Sequence, residues 1–178
     1  MSKARIATVW LDGCSGCHMS LLDMDERLIE LADRIEIVHS PLVDPKEIPE
    51  NIDVTLIEGA VSSEEDLEKA KKFRERSKLV VSLGDCAVTA NVASMRNPFG
   101  TDGVLDRAYR ENVTAEDSPI PTEVVPHLRT NATPVHEVIK VDVFLPGCPP
   151  PADAIHFAIS ELLEGRLPSI TDQTRFGR

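Results

Sequence analysis

Apolar residues along this chain follow two rhythms that take turns. Ile6 to Leu11 (IATVWL) is a short and nearly unbroken apolar run, the pattern of a strand covered on both faces. In SLLDMDERLIELA, which follows, Leu21, Leu22, Leu28, Ile29 and Ala32 mark one face of a helix with acidic residues near its start. A second strand is predicted over Ile35 to His39 (IEIVH), ended by Ser40-Pro41, and a third over Val54 to Ile57 (VTLI), closed by Glu58-Gly59. SSEEDLEKAKKFRERS then reads as a helix capped by Ser62 with Glu65, burying Leu67, Ala70 and Phe73 and presenting its charges to solvent. Leu79 to Leu83 (LVVSL) predicts a fourth strand and Ala87 to Met95 a helix. Val141 to Leu145 is the last strand and Pro151 to Glu164 the last helix, stopped by Gly165 and Pro168.

Strands alternating with helices predict the α/β class. The arrangement is a doubly wound, flavodoxin-like parallel sheet of four or five strands with helices on both faces, too few strands for an eight-stranded barrel. With 178 residues, 42% of them hydrophobic, one core can be filled, so a single domain over 1–178 is expected. Its irregular part is a long loop insertion at about 97–140, punctuated by Pro98, Pro119, Pro121, Pro126 and Pro134, whose length suits a functional or partner-bound segment.

Charge narrows the partners. A formal net charge of -11 and a pI near 4.9 offer no positive field to a nucleic acid or an anionic membrane surface. No apolar run approaches the roughly 18 residues of a membrane span, and the start reads as neither a signal peptide nor a twin-arginine leader. A cytoplasmic location is therefore expected, where thiols stay reduced and a CxxC binds metal or does redox chemistry.

The chain has four cysteines, Cys14, Cys17, Cys86 and Cys148, and each follows the carboxyl end of a predicted strand. In open parallel sheets that edge is where ligands bind, so residues far apart in sequence can meet there. Glycines close before each site (Gly13, Gly16, Gly84, Gly147) let the backbone approach a bulky anionic group. Three chemistries compete. A thioredoxin-like dithiol would use the CxxC beside Trp10 but leaves Cys86 and Cys148 without a role. A structural zinc module would use four thiolates, though such sites commonly arrive as two close pairs. A 4Fe-4S cluster takes four thiolates from separate loops. Four unrelated buried cysteines are the plain alternative.

The motifs add a resemblance that spacing does not supply. CSGCHMSLL after the first strand, IEGAVSSEED after the third, SLGDCA after the fourth and FLPGCPPPADAI near the end resemble, in order and across about residues 6–164, the small subunit of nickel-iron hydrogenases. The cluster-bearing subunit of respiratory complex I is similar too, but has adjacent cysteines where this chain has Cys14-Ser15-Gly16-Cys17. The resemblance implies that Cys14, Cys17, Cys86 and Cys148 hold one 4Fe-4S cluster, proximal to a nickel-iron site carried by a separate large subunit. Periplasmic and membrane-bound members carry further cluster ligands in a C-terminal segment, whereas no cysteine follows Cys148 here. The chain thus resembles the short cytoplasmic small subunits of the NAD-reducing type, which pass electrons to flavin and iron-sulfur diaphorase subunits. The residues themselves would equally suit an NADP, deazaflavin or heterodisulfide-reducing partner.

Around the cysteines, the resemblance gives Glu58 a structural or proton-handling role near the large-subunit interface, beside the plainer reading of a carboxylate at a helix start. His18, directly after Cys17, could tune or ligate the cluster, and is expected foremost as a helix-start histidine exposed to the partner. Trp10, which with Asp12 flanks the first cysteine loop, is expected in the core. A flavodoxin-like edge would also admit FMN, for which the sequence shows no dedicated phosphate loop.

Overall fold

A computed structural model describes residues 3–112, 114, 118–171 and 173. Its centre is a parallel sheet of β1 (Ala4–Trp10), β2 (Ile35–His39), β3 (Ile52–Glu58), β5 (Ser77–Leu83) and β7 (Val143–Leu145), in the order β2-β1-β3-β5-β7. The short strands β4 (Val61–Ser63) and β6 (Leu128–Thr133) pair antiparallel in a separate ribbon. With those two set aside, the order is that of a flavodoxin-like sheet, which reverses direction between β1 and β3 and opens a crevice beyond their carboxyl ends. Register makes that edge level. Trp10 pairs with Glu58, Glu58 with Leu83, and Leu83 with Leu145, so four strands end in one line.

Alternation along the strands fills both faces. Ile6, Val54, Leu56, Val81, Leu83, Val143 and Leu145 pack under α1 (Gly16–Leu22), α2 (Glu26–Leu31) and α6 (Ala152–Leu163). Ala7, Val9, Ile57 and Val80 pack against α3 (Glu64–Arg76), through Ala70 and Phe73, and against Ala87 of α4 (Asp85–Thr89). The predicted α/β class and two-faced sheet are therefore observed. No helix among the described residues is long and apolar enough to cross a membrane.

Several boundaries differ from the sequence reading, each for a local reason. The helix after the first cysteines is two helices, interrupted at Asp25, which has a positive φ of 49°. The buried stripe runs through Leu21, Met24, Leu28 and Leu31, while Leu22 and Ile29 face solvent. The cap of α3 lies one residue later than predicted. Ser62 is held in β4, so Ser63 accepts the Asp66 N–H while the Asp66 carboxylate accepts that of Ser63, a box whose hydroxyl is worth about 1 kcal/mol. The helix expected over Ala87 to Met95 starts earlier and stops at Ala90, which adopts φ 62°, before a 3-10 turn over Ala93–Phe99.

The final strand begins at Val143 rather than Val141, because Asp142 turns its carboxylate to the Val80 N–H (2.9 Å) and to Arg74 of α3 (2.6 Å). Burial works against that carboxylate, yet Val80, Arg74 and Lys140 outweigh it and hold it below the usual carboxylate range. The stretch 97–140 is not a bare loop. It contains α5 (Gly100–Leu105), a π turn (Asp106–Arg110), β6 and a 3-10 turn (Val135–Glu137), with 113 and 115–117 outside the described residues.

Candidate metal centre

The level carboxyl edge of the sheet brings three loops together. Beyond β1, the Leu11 N–H donates to the Glu58 carbonyl (2.9 Å), and Asp12 and Ala60 exchange backbone hydrogen bonds (3.1 and 2.8 Å). The chain then turns through Ser15, which has a φ of 69°, and delivers exposed Cys14 and buried Cys17 on either side of that turn. Cys86 is in the first turn of α4, and Cys148 follows β7. These last two loops are clamped to each other. The Gly84 N–H donates to the Leu145 carbonyl (2.8 Å), the Asp85 N–H to the Gly147 carbonyl (2.8 Å), and the Gly147 N–H to the Asp85 carboxylate (2.7 Å). Ser20 of α1 closes the ring by donating to the Pro150 carbonyl (2.5 Å). All four predicted cysteines line the resulting cleft, together with Glu58 and Asp85.

Four thiols and a carboxylate crowd one another. Burial pushes the Cys17 thiol far above the usual thiol range, reinforced by Glu58 and then by Cys86, Cys14 and Cys148. Burial also pushes Cys86 up; a backbone hydrogen bond at Val92 opposes this, while Cys148, Cys14 and Glu58 add to it. A set of donors that repel each other in this way is stabilised by a cationic centre that takes them as thiolates. Asn91 Nδ2 lies 3.7 Å from Cys148 Sγ, a donor for a sulfur bearing negative charge.

Gly84 shows how tightly the cradle is built. Its φ is +81°, and a Cβ there would fall on Cys17 Sγ, well inside van der Waals contact. Gly84→Ala is therefore expected to displace the Cys17 sulfur and strain the turn. Metal bound per chain after reconstitution should fall by about half or more, while the far-ultraviolet dichroism keeps its α/β shape. Parent-level metal in this variant would mean that the sulfur has room to move.

The neighbouring predicted residues fall out differently. Glu58 is buried and accepts the backbone N–H groups of Cys17 (3.2 Å) and His18 (3.0 Å), so the carboxylate at a helix start is what the geometry displays. His18, expected to be exposed, is 1% accessible, with Nδ1 paired to Glu58 and Nε2 3.0 Å from Thr8 Oγ1. Trp10, expected in the core, is 47% exposed, and its indole N–H donates to the Gly13 carbonyl (3.2 Å). It occupies the last position of β1 and lines an open groove with His39, Ser40 and, from α3, Lys69 and Phe73. Asp85, Asn91 and Thr8 escaped sequence reasoning. Only Asp85 left a trace, by directly preceding Cys86 in SLGDC.

The geometry bears on the competing chemistries. Dithiol exchange would use exposed Cys14 with buried Cys17, and it leaves without a role Cys86 and Cys148, which line the same cleft. A mononuclear zinc would draw four sulfurs to within about 2.3 Å of one point. The four cysteines share one cleft and come from three separate loops, a donor arrangement that a polynuclear group accepts.

Comparison with known proteins gives the chain's relatives. The family described as NADH ubiquinone oxidoreductase, 20 Kd subunit, matches residues 14–162. The chain is 42% identical over 168 residues to the NAD-reducing hydrogenase HoxS subunit delta of Cupriavidus necator, covering 92% of this chain and 80% of that one. It is 43% identical over 168 residues to a subunit of the F420-non-reducing hydrogenase of Methanothermobacter thermautotrophicus, covering 92% of this chain and 54% of the relative's length. Among solved structures, a chain of an NAD+-reducing NiFe-hydrogenase in the H2-reduced state superposes with a TM-score of 0.94 at 36% identity, covering 98% of this chain and 99% of that chain. A chain of the NiFeSe hydrogenase of Desulfovibrio vulgaris Hildenborough shares the fold, with a TM-score of 0.59 at 20% identity.

Proposed function

The chain belongs to the family of the NADH ubiquinone oxidoreductase 20 kDa subunit, on the branch of the nickel-iron hydrogenase small subunits, and on that premise we propose that it carries the proximal cluster of a cytoplasmic NAD-reducing hydrogenase. Cys14, Cys17, Cys86 and Cys148 would hold one 4Fe-4S cluster. The observation that carries this reading is the convergence of four thiols, from the loops after β1, β5 and β7, on one level edge of the sheet. Bound there, the cluster would supply one-electron exchange between the nickel-iron site of a large subunit and the flavin and iron-sulfur subunits of a diaphorase.

This chain's residues contribute placement and environment. Burial of Cys17 keeps water from that ligand, and Glu58 fixes its backbone N–H. The Asp85–Gly147 clamp sets the Cys86 loop against the Cys148 loop, and Asn91 offers Cys148 a hydrogen bond. Large apolar side chains border the cleft or extend from its loops without cover: Trp10, Met19, Val92, Met95 and Phe99 are 47–74% exposed. Such a rim suits a lasting protein interface, and the large subunit is the occupant proposed for it.

Anaerobic analysis of the purified complex tests the assignment. Iron and acid-labile sulfide should each approach about four per small subunit, with a paramagnetic signal appearing on reduction. Zinc in place of iron, or neither metal with a titratable dithiol, would replace this reading by a rival. Hydrogen-dependent reduction of NAD, measured on the same sample, separates the NAD-reducing assignment from the F420-non-reducing alternative that the 43% identical relative represents.

A further inference from the structure

Four buried polar side chains form a line away from the cysteines that cluster ligation does not use. Glu58 at the end of β3 receives the N–H groups of Cys17 and His18. Its Oε2 also pairs with His18 Nδ1, and His18 Nε2 is 3.0 Å from Thr8 Oγ1 on β1. Thr8 Oγ1 donates to Ser40 Oγ beyond β2 (2.7 Å), and Ser40 Oγ accepts the Leu42 N–H (3.1 Å). Glu58, His18, Thr8 and Ser40 are each 1–2% exposed. Leaving such groups unpaired in a core is costly, so a line of them has to be satisfied as a unit.

The consequence falls on Cys17. Its loop enters α1 through Ser15, which makes no side-chain cap. The backbone N–H groups of Cys17 and His18 are instead met by Glu58, a residue of another strand. A glutamate has three rotatable side-chain bonds, and one oxygen on each of two N–H groups fixes it only if its outer end is held. His18 supplies that hold, and Thr8 fixes the plane of the imidazole.

We propose that His18, oriented by Thr8, is a positioning residue that locks the Glu58 carboxylate onto the Cys17 N–H and thereby sets the placement and electronic environment of that cluster ligand. This rests on the cluster assignment above. Among the described residues the hydrogen bonds of the His18 ring go to Glu58 and Thr8, so it acts through Glu58.

The test uses the assembled hydrogenase and reads the cluster rather than turnover. Thr8→Val is nearly isosteric and removes only the hydroxyl, while Thr8→Ser keeps it. With iron content held at the parent value, Thr8→Val should change the paramagnetic spectrum of the reduced cluster. It should also shift its midpoint by a tenfold change in the oxidised-to-reduced ratio, about 59 mV for one electron. Thr8→Ser should return both to the parent values, and His18→Ala should move them further in the same sense. If His18→Ala does not fold, the two Thr8 variants decide. Parent-like spectrum and midpoint in Thr8→Val would overturn the inference. Absence of a four-iron cluster from the parent protein would instead overturn the assignment beneath it.

Discussion

Alanine at any one of Cys14, Cys17, Cys86 or Cys148 is expected to strip the assembled hydrogenase of an intact cluster and to lower hydrogen-dependent electron delivery by about 100-fold or more. Loss of an outer-shell partner alone typically costs 10–100-fold at a metal site, and a ligand is closer to the metal than that. The four positions should differ in how the loss appears. Cys17 is buried, so Cys17→Ala leaves a cavity as well as a missing ligand and should also lower the yield of folded chain. Cys14 and Cys148 are exposed, so their alanine variants should fold normally and lose only iron. Loading should also depend on pH. The Cys17 thiol is held far above its usual range without metal and must lose its proton to ligate, so occupancy should rise as pH rises and fall as it drops. Full iron and an unchanged spectrum in Cys148→Ala would remove that residue from the ligand set.

Separation from the large subunit is expected to be the second severe perturbation. The proposed cluster needs a source and an exit for its electrons, and Val92, which lines the hollow beside Cys14, Cys86 and Cys148, is 63% exposed and is followed in the chain by exposed Met95 and Phe99. An obligate interface of about 2,000 Å² or more would cover them. Expressed alone, the chain should aggregate or lose its cluster, and coexpression with the large subunit should restore both solubility and iron. Hydrogen exchange locates the contact, with protection on assembly concentrated in residues 12–18, 84–87, 97–140 and 146–150. A stable, fully loaded monomer whose exchange in those segments ignores the large subunit would sink the proposed partnership.

The apolar runs of β1, β3 and β5 were legible because a strand buried on both faces leaves a continuous signature. The cysteines were legible because each ends such a run. What could not be read was set by partners distant in sequence. His18 lies in the polar string GCHMS, and nothing nearby announces that Glu58 and Thr8 will receive it in the core. Trp10 continues the apolar run of β1, and nothing in that run announces the open groove it borders with Lys69 and Phe73 of α3. The ribbon of β4 and β6 escaped because three residues of β4 carry no measurable periodicity and its partner lies beyond β5 and α4 in the chain. The cap moved by one residue for the same reason, since β4 runs through Ser63 and the helix begins only at Glu64.

β7 lies at the outer margin of the sheet and joins it through only a short register with β5, from Val81↔Val143 to Leu83↔Leu145, yet the loop it ends carries Cys148. On a ribosome, where chains emerge at about 5–20 residues per second, β1, β3 and β5 can assemble several seconds before β7 is available. During that interval three thiols face one another in a basin with one wall missing, and β5 presents an unpaired flank open to aggregation. Iron delivered then would meet a three-ligand site open to solvent and to oxidants. On the proposed assignment, the set of four thiols is complete only once β7, the last and shortest strand of the sheet, has docked, and until then the flank of β5 stays bare.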